Sequence, residues 1–328
     1  MTRGAILLAL ALGACAPIAE LPRAPLPYGA PITIDAEPLQ LDPADPAHQQ
    51  IGNFHYAGGV RLTSRDTARL HGLSDLKVWP DGRVLAVSDQ SDVLEARLAL
   101  DKDGRLAGLT DARISTLKDG KGVDWYASGQ KEFDSEGFAE FPNGDRLATF
   151  EQHDRILLYP KGGGAPRPAP MPDIKYDFNH GIESLATEPL VGPDAYRVGV
   201  ESTGQTFICR LSAACTPDVK FDLEGLEMAS IDVLPDGRLA YLLRNYLPAR
   251  GNVVRLRIAD RQGKVIDGME IARPLTVDNF EGLAAAPQKD GSTRFYIVVD
   301  DNFGTYDGKP TGQTTLFMAF DWRPERGH

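Results

Sequence analysis

The sequence predicts an all-β chain folded as a β-propeller with five clear blades, a sixth degenerate blade being left open. Three observations carry this prediction. Apolar runs are short, such as Val84-Leu85-Ala86-Val87 and Ile297-Val298-Val299, and helical periodicity is almost absent. Turn signals of the DG and NG type recur between these runs. A two-strand unit repeats along the chain.

The repeat pairs Gly72-Leu73-Ser74-Asp75-Leu76 with a run ending at Asp89. It pairs Ser135-Glu136-Gly137-Phe138-Ala139 with one ending at Glu151, and Gly181-Ile182-Glu183-Ser184-Leu185 with one ending at Glu201. Gly225-Leu226-Glu227-Met228-Ala229 precedes a run ending at Arg244, and Phe280-Glu281-Gly282-Leu283-Ala284 one ending at Asp300. Propeller blades run to about 40 to 50 residues, close to this spacing. The longest gap holds the polar segment Lys118 to Asp134, where a sixth blade is left open. Ile51 to Leu62 reads as a strand that closes the ring against Thr314 to Trp322, which removes exposed sheet edges.

Ahead of the propeller lie two other segments. Arg3 and the apolar run Ala5 to Leu12 form a short export signal, too short to span a bilayer. The residues Leu12-Gly13-Ala14-Cys15 resemble the bacterial lipobox, in which the cysteine becomes the lipidated first residue. Residues 1–14 are therefore expected as signal peptide, and residues 15–50 as lipidated Cys15 plus a Pro-rich spacer. The domain is placed at 51–328. An ordinary cleaved signal with a chance cysteine is the alternative. Ala16 is not the Asp typical of inner-membrane retention, so an outer-membrane anchor facing the periplasm is expected, with palmitate on the cysteine. No second apolar run reaches membrane-span length.

The formal net charge of -11 argues against a nucleic-acid partner, which needs a basic face. There are three cysteines. With Cys15 lipidated, Cys209 and Cys215 remain, flanking a tight turn; an oxidising compartment lets them pair. Two reduced, buried thiols are the alternative. The motifs G-x-S-x-G, H-E-x-x-H, C-x-x-C and the P-loop are all absent.

The repeat makes a spatial claim. The first strand of a blade lines the channel and the second returns beside it. Asp75 should then lie near Asp89, Glu136 near Glu151, Glu183 near Glu201, Glu227 near Arg244, and Glu281 near Asp300. All five pairs should crowd one mouth. Like charges at such range disfavour mutual ionisation, and a hard cation relieves them. Asn179, Asn279 and Asn302 add neutral oxygens at the same edges. Arg155 and Arg244 are placed to hold an anionic group. His153 and His180 lie nearby, and His180, just before the third repeat, is preferred. Structural capping of blade corners is the alternative for each carboxylate.

The segments GLSDL, SEGFA, NHGIESLA, LPDGRLAYLLRNY and DNFEGLAAA, with FYIVVDDNFG and TTLFMAFDW, resemble the phytase-like family of exported bacterial proteins. The likeness runs from about Tyr56 to Trp322. It implies an esterase-like activity and a relation to propeller phytases, which use calcium at one mouth to hydrolyse phosphomonoesters. It implies Asp75, Asp89, Glu136, Glu151, Glu183, Glu201, Glu227, Glu281 and Asp300 as metal ligands. Glu136, Glu183, Glu281 and His180 are the catalytic candidates; Arg155, Arg244 and Asn179 are the substrate contacts. Arg244 departs from the pattern by standing where the other repeats have an acid, and the dense basic lining suited to a polyphosphate is lacking. Three readings follow: a calcium-dependent phosphoesterase or related ester hydrolase, a non-enzymatic ligand- or protein-binding propeller, and a lactonase-like metal hydrolase. A small ester or phosphoester is the expected substrate of the first.

Overall fold

Four near-identical turns set the frame. Trp79-Pro80-Asp81-Gly82, Phe141-Pro142-Asn143-Gly144, Leu234-Pro235-Asp236-Gly237 and Gln288-Lys289-Asp290-Gly291 each close with the glycine amide on the first residue's carbonyl. In each, the Asp or Asn side chain also accepts the amide two residues on, at 2.9–3.1 Å. Gly82 takes φ 83°, a left-handed backbone that a side chain disfavours. These turns join the first and second strands of four blades.

The computed structural model describes residues 26–123, 125, 133–177, 180–306 and 309–323. Their long strands pair into five antiparallel sheets. Blade 1 runs outward through Leu73–Val78, Arg83–Ser88, Asp92–Leu100 and Leu106–Thr116. Blade 2 is Ser135–Glu140, Arg146–Phe150, Arg155–Tyr159 and Arg167–Pro168. Blade 3 is Ile182–Thr187, Ala195–Val200, Gln205–Arg210 and Ala213–Lys220. Blade 4 is Glu227–Val233, Leu239–Leu247, Gly251–Ala259 and Val265–Ala272. Blade 5 begins with Phe280–Pro287, Thr293–Val299 and Leu316–Trp322.

Phe54–Thr63 completes blade 5, pairing Phe54 with Trp322 and Val60 with Phe317. The ring is thus closed by the N-terminal strand expected to do so. The first strands follow one another round the channel, and blade 5 returns onto blade 1. There a Cβ on Gly282 would lie 2.9 Å from Leu76 and 3.0 Å from Asp75. Among the described residues the gap before Ser135 forms no sixth blade. No described helix is long and apolar enough to cross a membrane.

Residues 30–50, expected as spacer, instead carry strands that pair with the fold. Ala30–Pro31 pairs along the outer strand of blade 1, and Asp35–Pro38 and Gln50–Ile51 pair with Phe54–Thr63. Leu41 is fully buried, and the Leu39 carbonyl accepts the Tyr56 hydroxyl. Proline suits these edge positions because an edge strand has an amide that need not be paired. The expected signal peptide and Cys15 lie outside the described residues.

Apolar clusters fill the spaces between neighbouring sheets, with Phe54, Phe280, Phe295, Phe320 and Trp322 packed around blade 5. Some inter-blade joints are ionic, as where Arg83 of blade 1 meets Glu140 of blade 2 at 2.6 Å. Arg197 and Glu188 are both fully buried and paired, and Arg261 reaches Glu188 from blade 4. In blade 3 the Cys209 and Cys215 sulfurs are bonded across a hairpin, with Arg210 opposite Ala213.

Candidate functional site

Each first strand carries a β-bulge near its start. Leu73 pairs with Ser88 but Asp75 with Val87, which leaves Ser74 extra. The same offset isolates Glu183 in blade 3, Ala229 in blade 4 and Glu281 in blade 5. In blade 2 it falls between Ser135 and Phe138 and takes in Glu136. An extra residue breaks the two-residue alternation and re-aims its side chain. Ser74, Glu136, Glu183 and Glu281 accordingly line one cavity at the channel mouth, of about 830 Å³.

The second strands end in phase. Asp89, Glu151, Glu201 and Asp300 each follow the last residue of the second strand at this mouth, and Arg244 holds the matching position inside Leu239–Leu247, which runs on past it. A third position, level with these ends, holds Gly72, Asp134, Gly181, Glu227 and Asn279. The first, second, third and fifth of these carbonyls accept the amides of Asp89, Glu151, Glu201 and Asp300, and Glu227 pairs directly with Arg244.

Among the described residues the strand ends and bulges at the mouth therefore gather nine carboxylates: Asp89, Asp134, Glu136, Glu151, Glu183, Glu201, Glu227, Glu281 and Asp300; Asp278, also in the wall, accepts the side-chain amides of Asn252 and Gln313. Asp134 was missed in the sequence. Its signal was the residue just before the Ser135-Glu136-Gly137 motif, visible only once the bulge sets the frame.

Asp75 is a correction. It stands one residue past the bulge, inside the channel rather than at the mouth. There its carboxylate binds Lys77 at 2.9 Å and accepts the Phe138 amide of blade 2 and the Ser230 hydroxyl of blade 4. It pins three blades together and is already neutralised. Arg155 is a second correction. It donates to the His153 carbonyl and lies over the rings of Phe150 and Trp125, outside the cavity lining. Asn179 lies outside the described residues. Asn279 and Asn302 both line the cavity, and the Asn279 side chain donates to Glu281 at 2.9 Å. The His180 ring meets Glu201 at 2.8 Å, and that hydrogen bond raises the imidazole above its ordinary value.

Arg244 is the hub. Its guanidinium lies 2.9 Å from Glu281, 3.2 Å from Glu227, 3.4 Å from Glu201 and 3.6 Å from Glu183. Burial works against its charge, but these four carboxylates outweigh burial and keep it cationic. It is thus committed to carboxylates and does not stand open as an anion clamp.

One cation does not neutralise nine acids. Glu136, Glu151, Glu183, Glu201, Glu281 and Asp300 are each at most 8% exposed, so water does little of the screening. Burial, then Glu183, Asp134, Glu281 and Glu151, holds Glu136 well above the carboxylate range. Burial and then Glu201 do the same to Glu183, against the pull of Arg244. Burial raises Glu281, and burial followed by Glu281 raises Asp300. Glu151 is pushed up to about 7 by burial, helped by Glu201, Asp134 and Asp154 and opposed by the Gly181 amide. The strain concentrates on blades 2 and 3. There, ligand atoms of Asp134, Glu136 and Glu151 lie within 4.8 Å of one another, as do those of Glu151, Glu183 and Glu201.

Comparison with known proteins adds a family. A sequence-family model described as "Phytase-like: Esterase-like activity of phytase" matches residues 68–192 and 194–303. Among curated proteins none matches the chain. Solved structures are similar at low identity. Regucalcin, a calcium-binding protein from Agrobacterium tumefaciens, is 13% identical over 92% of this chain and 94% of its own, with a TM-score of 0.45. A gluconolactonase from Xanthomonas campestris is 12% identical over 90% of this chain and 98% of its own, with a TM-score of 0.42. Virginiamycin B lyase from Staphylococcus aureus is 12% identical over 87% and 99%, with a TM-score of 0.43.

Proposed function

The chain belongs to the phytase-like family, named for esterase-like activity, and from that premise we propose that it hydrolyses an ester at the acidic mouth with a divalent cation, calcium by its ligand chemistry. The observation that carries this reading is the concentration of buried, mutually repelling carboxylates on blades 2 and 3, more of them than the single charge of Arg244 neutralises. The donors are all hard oxygens, which suits calcium with its six to eight oxygen ligands. Asp134, Glu136, Glu151, Glu183 and Glu201 would hold it. Bound there, such an ion supplies positive charge that polarises an ester oxygen and acidifies water.

The remaining wall handles the substrate. Asn245 offers an amide group for hydrogen bonds, the amide oxygens of Asn252, Asn279 and Gln313 add acceptors while their nitrogens donate to Asp278 and Glu281, and Arg273 offers a second cation to the lining. The cavity volume suits a small molecule. With Arg244 already committed, the lining favours an ester of low charge over a polyphosphate. Arg244 itself keeps Glu281 and Glu227 from competing for the ion.

Hydrolysis of p-nitrophenyl phosphate, p-nitrophenyl acetate and a sugar δ-lactone, each with calcium and with EDTA, tests the reading. We expect at least one to be turned over, with EDTA lowering the rate 100-fold or more and calcium restoring it. Activity indifferent to EDTA contradicts the metal, and inertness toward all three in calcium contradicts hydrolysis and favours a binding propeller.

We further propose that the domain works in the cell envelope, tethered through Cys15. Because the fold already includes Ala30, the tether is short, roughly 45 Å when extended. Palmitate labelling that persists in Cys15→Ser would refute the anchor.

A further inference from the structure

Blade 4 carries its second strand past the mouth. Among the described residues the other second strands end at Ser88, Phe150, Val200 and Val299, whereas Leu239–Leu247 runs on beyond Arg244 before returning as Gly251–Ala259. The result is a raised hairpin that pairs Tyr246 with Asn252 and Leu247 with Gly251. Side chains alternate along a strand, so Tyr246 shares the face of Arg244 and stands roughly 7 Å further out. Arg244 reaches across that face to Glu281 of blade 5. Asn252, opposite Tyr246, points the same way and donates to Asp278 at 3.1 Å. Tyr246, Asn252 and Asp278 all line the cavity.

This wall differs in chemistry from the carboxylates of blades 2 and 3. Tyr246 is 65% exposed, and among the described residues its ring packs on no other ring. Asn252 and Gln313 each turn an amide nitrogen to Asp278, at 3.1 and 2.8 Å, because a carboxylate only accepts. Among the described residues no donor takes either amide oxygen. Arg273 brings the donor. It follows Ala272, the end of the blade's outer strand, and it too lines the cavity. It is exposed, and no described carboxylate pairs with it. Its guanidinium rests against Gly251, where a Cβ would lie 3.3 Å from Cζ and Nε, so it is tied to the raised hairpin.

We propose that Tyr246 and Arg273 form the subsite that selects the non-reacting part of the substrate, and that this part is a polyol ring such as a sugar. This rests on the hydrolytic reading above and names its substrate class. The wall is rich in acceptors, the oxygens of Asn252, Gln313 and Asp278, and has Arg273 as its unpaired donor. A hydrocarbon ring offers those acceptors nothing. An anion only accepts, and an ammonium group is repelled by Arg273. Hydroxyl groups donate to the oxygens and also accept from the guanidinium. The C–H face of a sugar ring packs on an aromatic ring, which gives the exposed Tyr246 a partner. The ring then lies over blades 4 and 5, and its ester group reaches across the mouth to blades 2 and 3.

The test pairs substrates that differ in ring hydroxyls, in saturating calcium: glucono-δ-lactone with δ-valerolactone, glucose 6-phosphate with cyclohexylmethyl phosphate, and glucose 6-acetate with cyclohexylmethyl acetate. In the pair it turns over, the full chain should favour the polyol member at least tenfold in kcat/KM. Tyr246→Ala should raise KM for that member about tenfold, the scale of one stacking contact, with kcat and the hydroxyl-free partner within threefold of the parent. Tyr246→Phe should keep KM within threefold. Arg273→Gln should raise the same KM, and Arg273→Lys should recover part of it. Calorimetry with the methyl glycosides of glucose, galactose and mannose reads the subsite without turnover. Equal use of both members of a pair, or a KM within threefold in Tyr246→Ala, overturns the subsite while hydrolysis stands. Glycoside binding that Tyr246→Ala abolishes, with no turnover of any pair, upholds the subsite and overturns hydrolysis. Neither turnover nor binding overturns both.

Discussion

Replacing Arg244 by methionine should lower the unfolding free energy of the calcium-free protein by about 3 kcal/mol or more at pH 7.5, the range for removing one partner of a buried ion pair. The substitution keeps much of the side-chain volume and removes the charge that Glu183, Glu201, Glu227 and Glu281 share. Those carboxylates then face one another in a site where Glu183 and Glu281 are nearly out of water. Two further results should accompany the loss. It should shrink at pH 5, where the acids can take up protons. It should also shrink in excess calcium, because a cation that binds only the folded protein stabilises it by mass action. Urea unfolding with and without calcium at both pH values measures all three. An unchanged midpoint for Arg244→Met, or a loss that calcium does not reduce, contradicts the account of Arg244 as an internal counter-ion.

The metal-free parent should lose stability as pH rises from about 4.5 to 7. The sign follows from linkage. Glu151 titrates near 4.5 when unfolded and at about 7 when folded, so between these values the folded chain binds more protons. Unfolding free energy therefore falls across that window. Glu151 alone contributes about 3 kcal/mol of this change, at about 1.4 kcal/mol per pH unit. Glu136, Glu183, Glu281 and Asp300 are shifted in the same direction and steepen the fall. Calcium favours the ionised forms and should flatten it. Thermal unfolding at pH 5 and pH 8, in EDTA and in calcium, should show Tm falling with pH in EDTA and much less in calcium. A Tm in EDTA that is flat or rises with pH argues against strained carboxylates at the mouth.

The blade repeat was legible because it is written in turn chemistry and strand alternation, both local properties. Asp81-Gly82, Asn143-Gly144, Asp236-Gly237 and Asp290-Gly291 mark four hairpins that the chain forms. The ring closure of Phe54–Thr63 on Leu316–Trp322 followed from the need to pair two otherwise bare edges. Four second strands end where the repeat puts their ends, before Asp89, Glu151, Glu201 and Asp300, while the fourth blade's runs three residues past Arg244. The first strands were harder, because a bulge adds one residue without a sequence signature. Matching letters set Asp75 and Glu227 level with Glu183, whereas strand pairing puts Ser74 and Ala229 there. Asp75 thereby moved from the mouth into the channel, and Asp134 entered the ring unannounced. The edge strands at Ala30–Pro31 and Asp35–Pro38 were hidden by proline, whose local preference for extended chain is the same in a spacer and at a sheet edge.

Calcium titration by calorimetry bears most directly on the central claim, that the carboxylates of blades 2 and 3 form a cation site. The parent protein and a Glu136→Gln/Glu183→Gln variant would be compared at pH 7.5 after treatment with chelator. The parent should bind at least one calcium ion and the variant should bind it at least 100-fold more weakly, with unfolding in EDTA showing the variant folded and no less stable than the parent. Equal affinity in the two proteins, or no calcium uptake by the parent, contradicts the site.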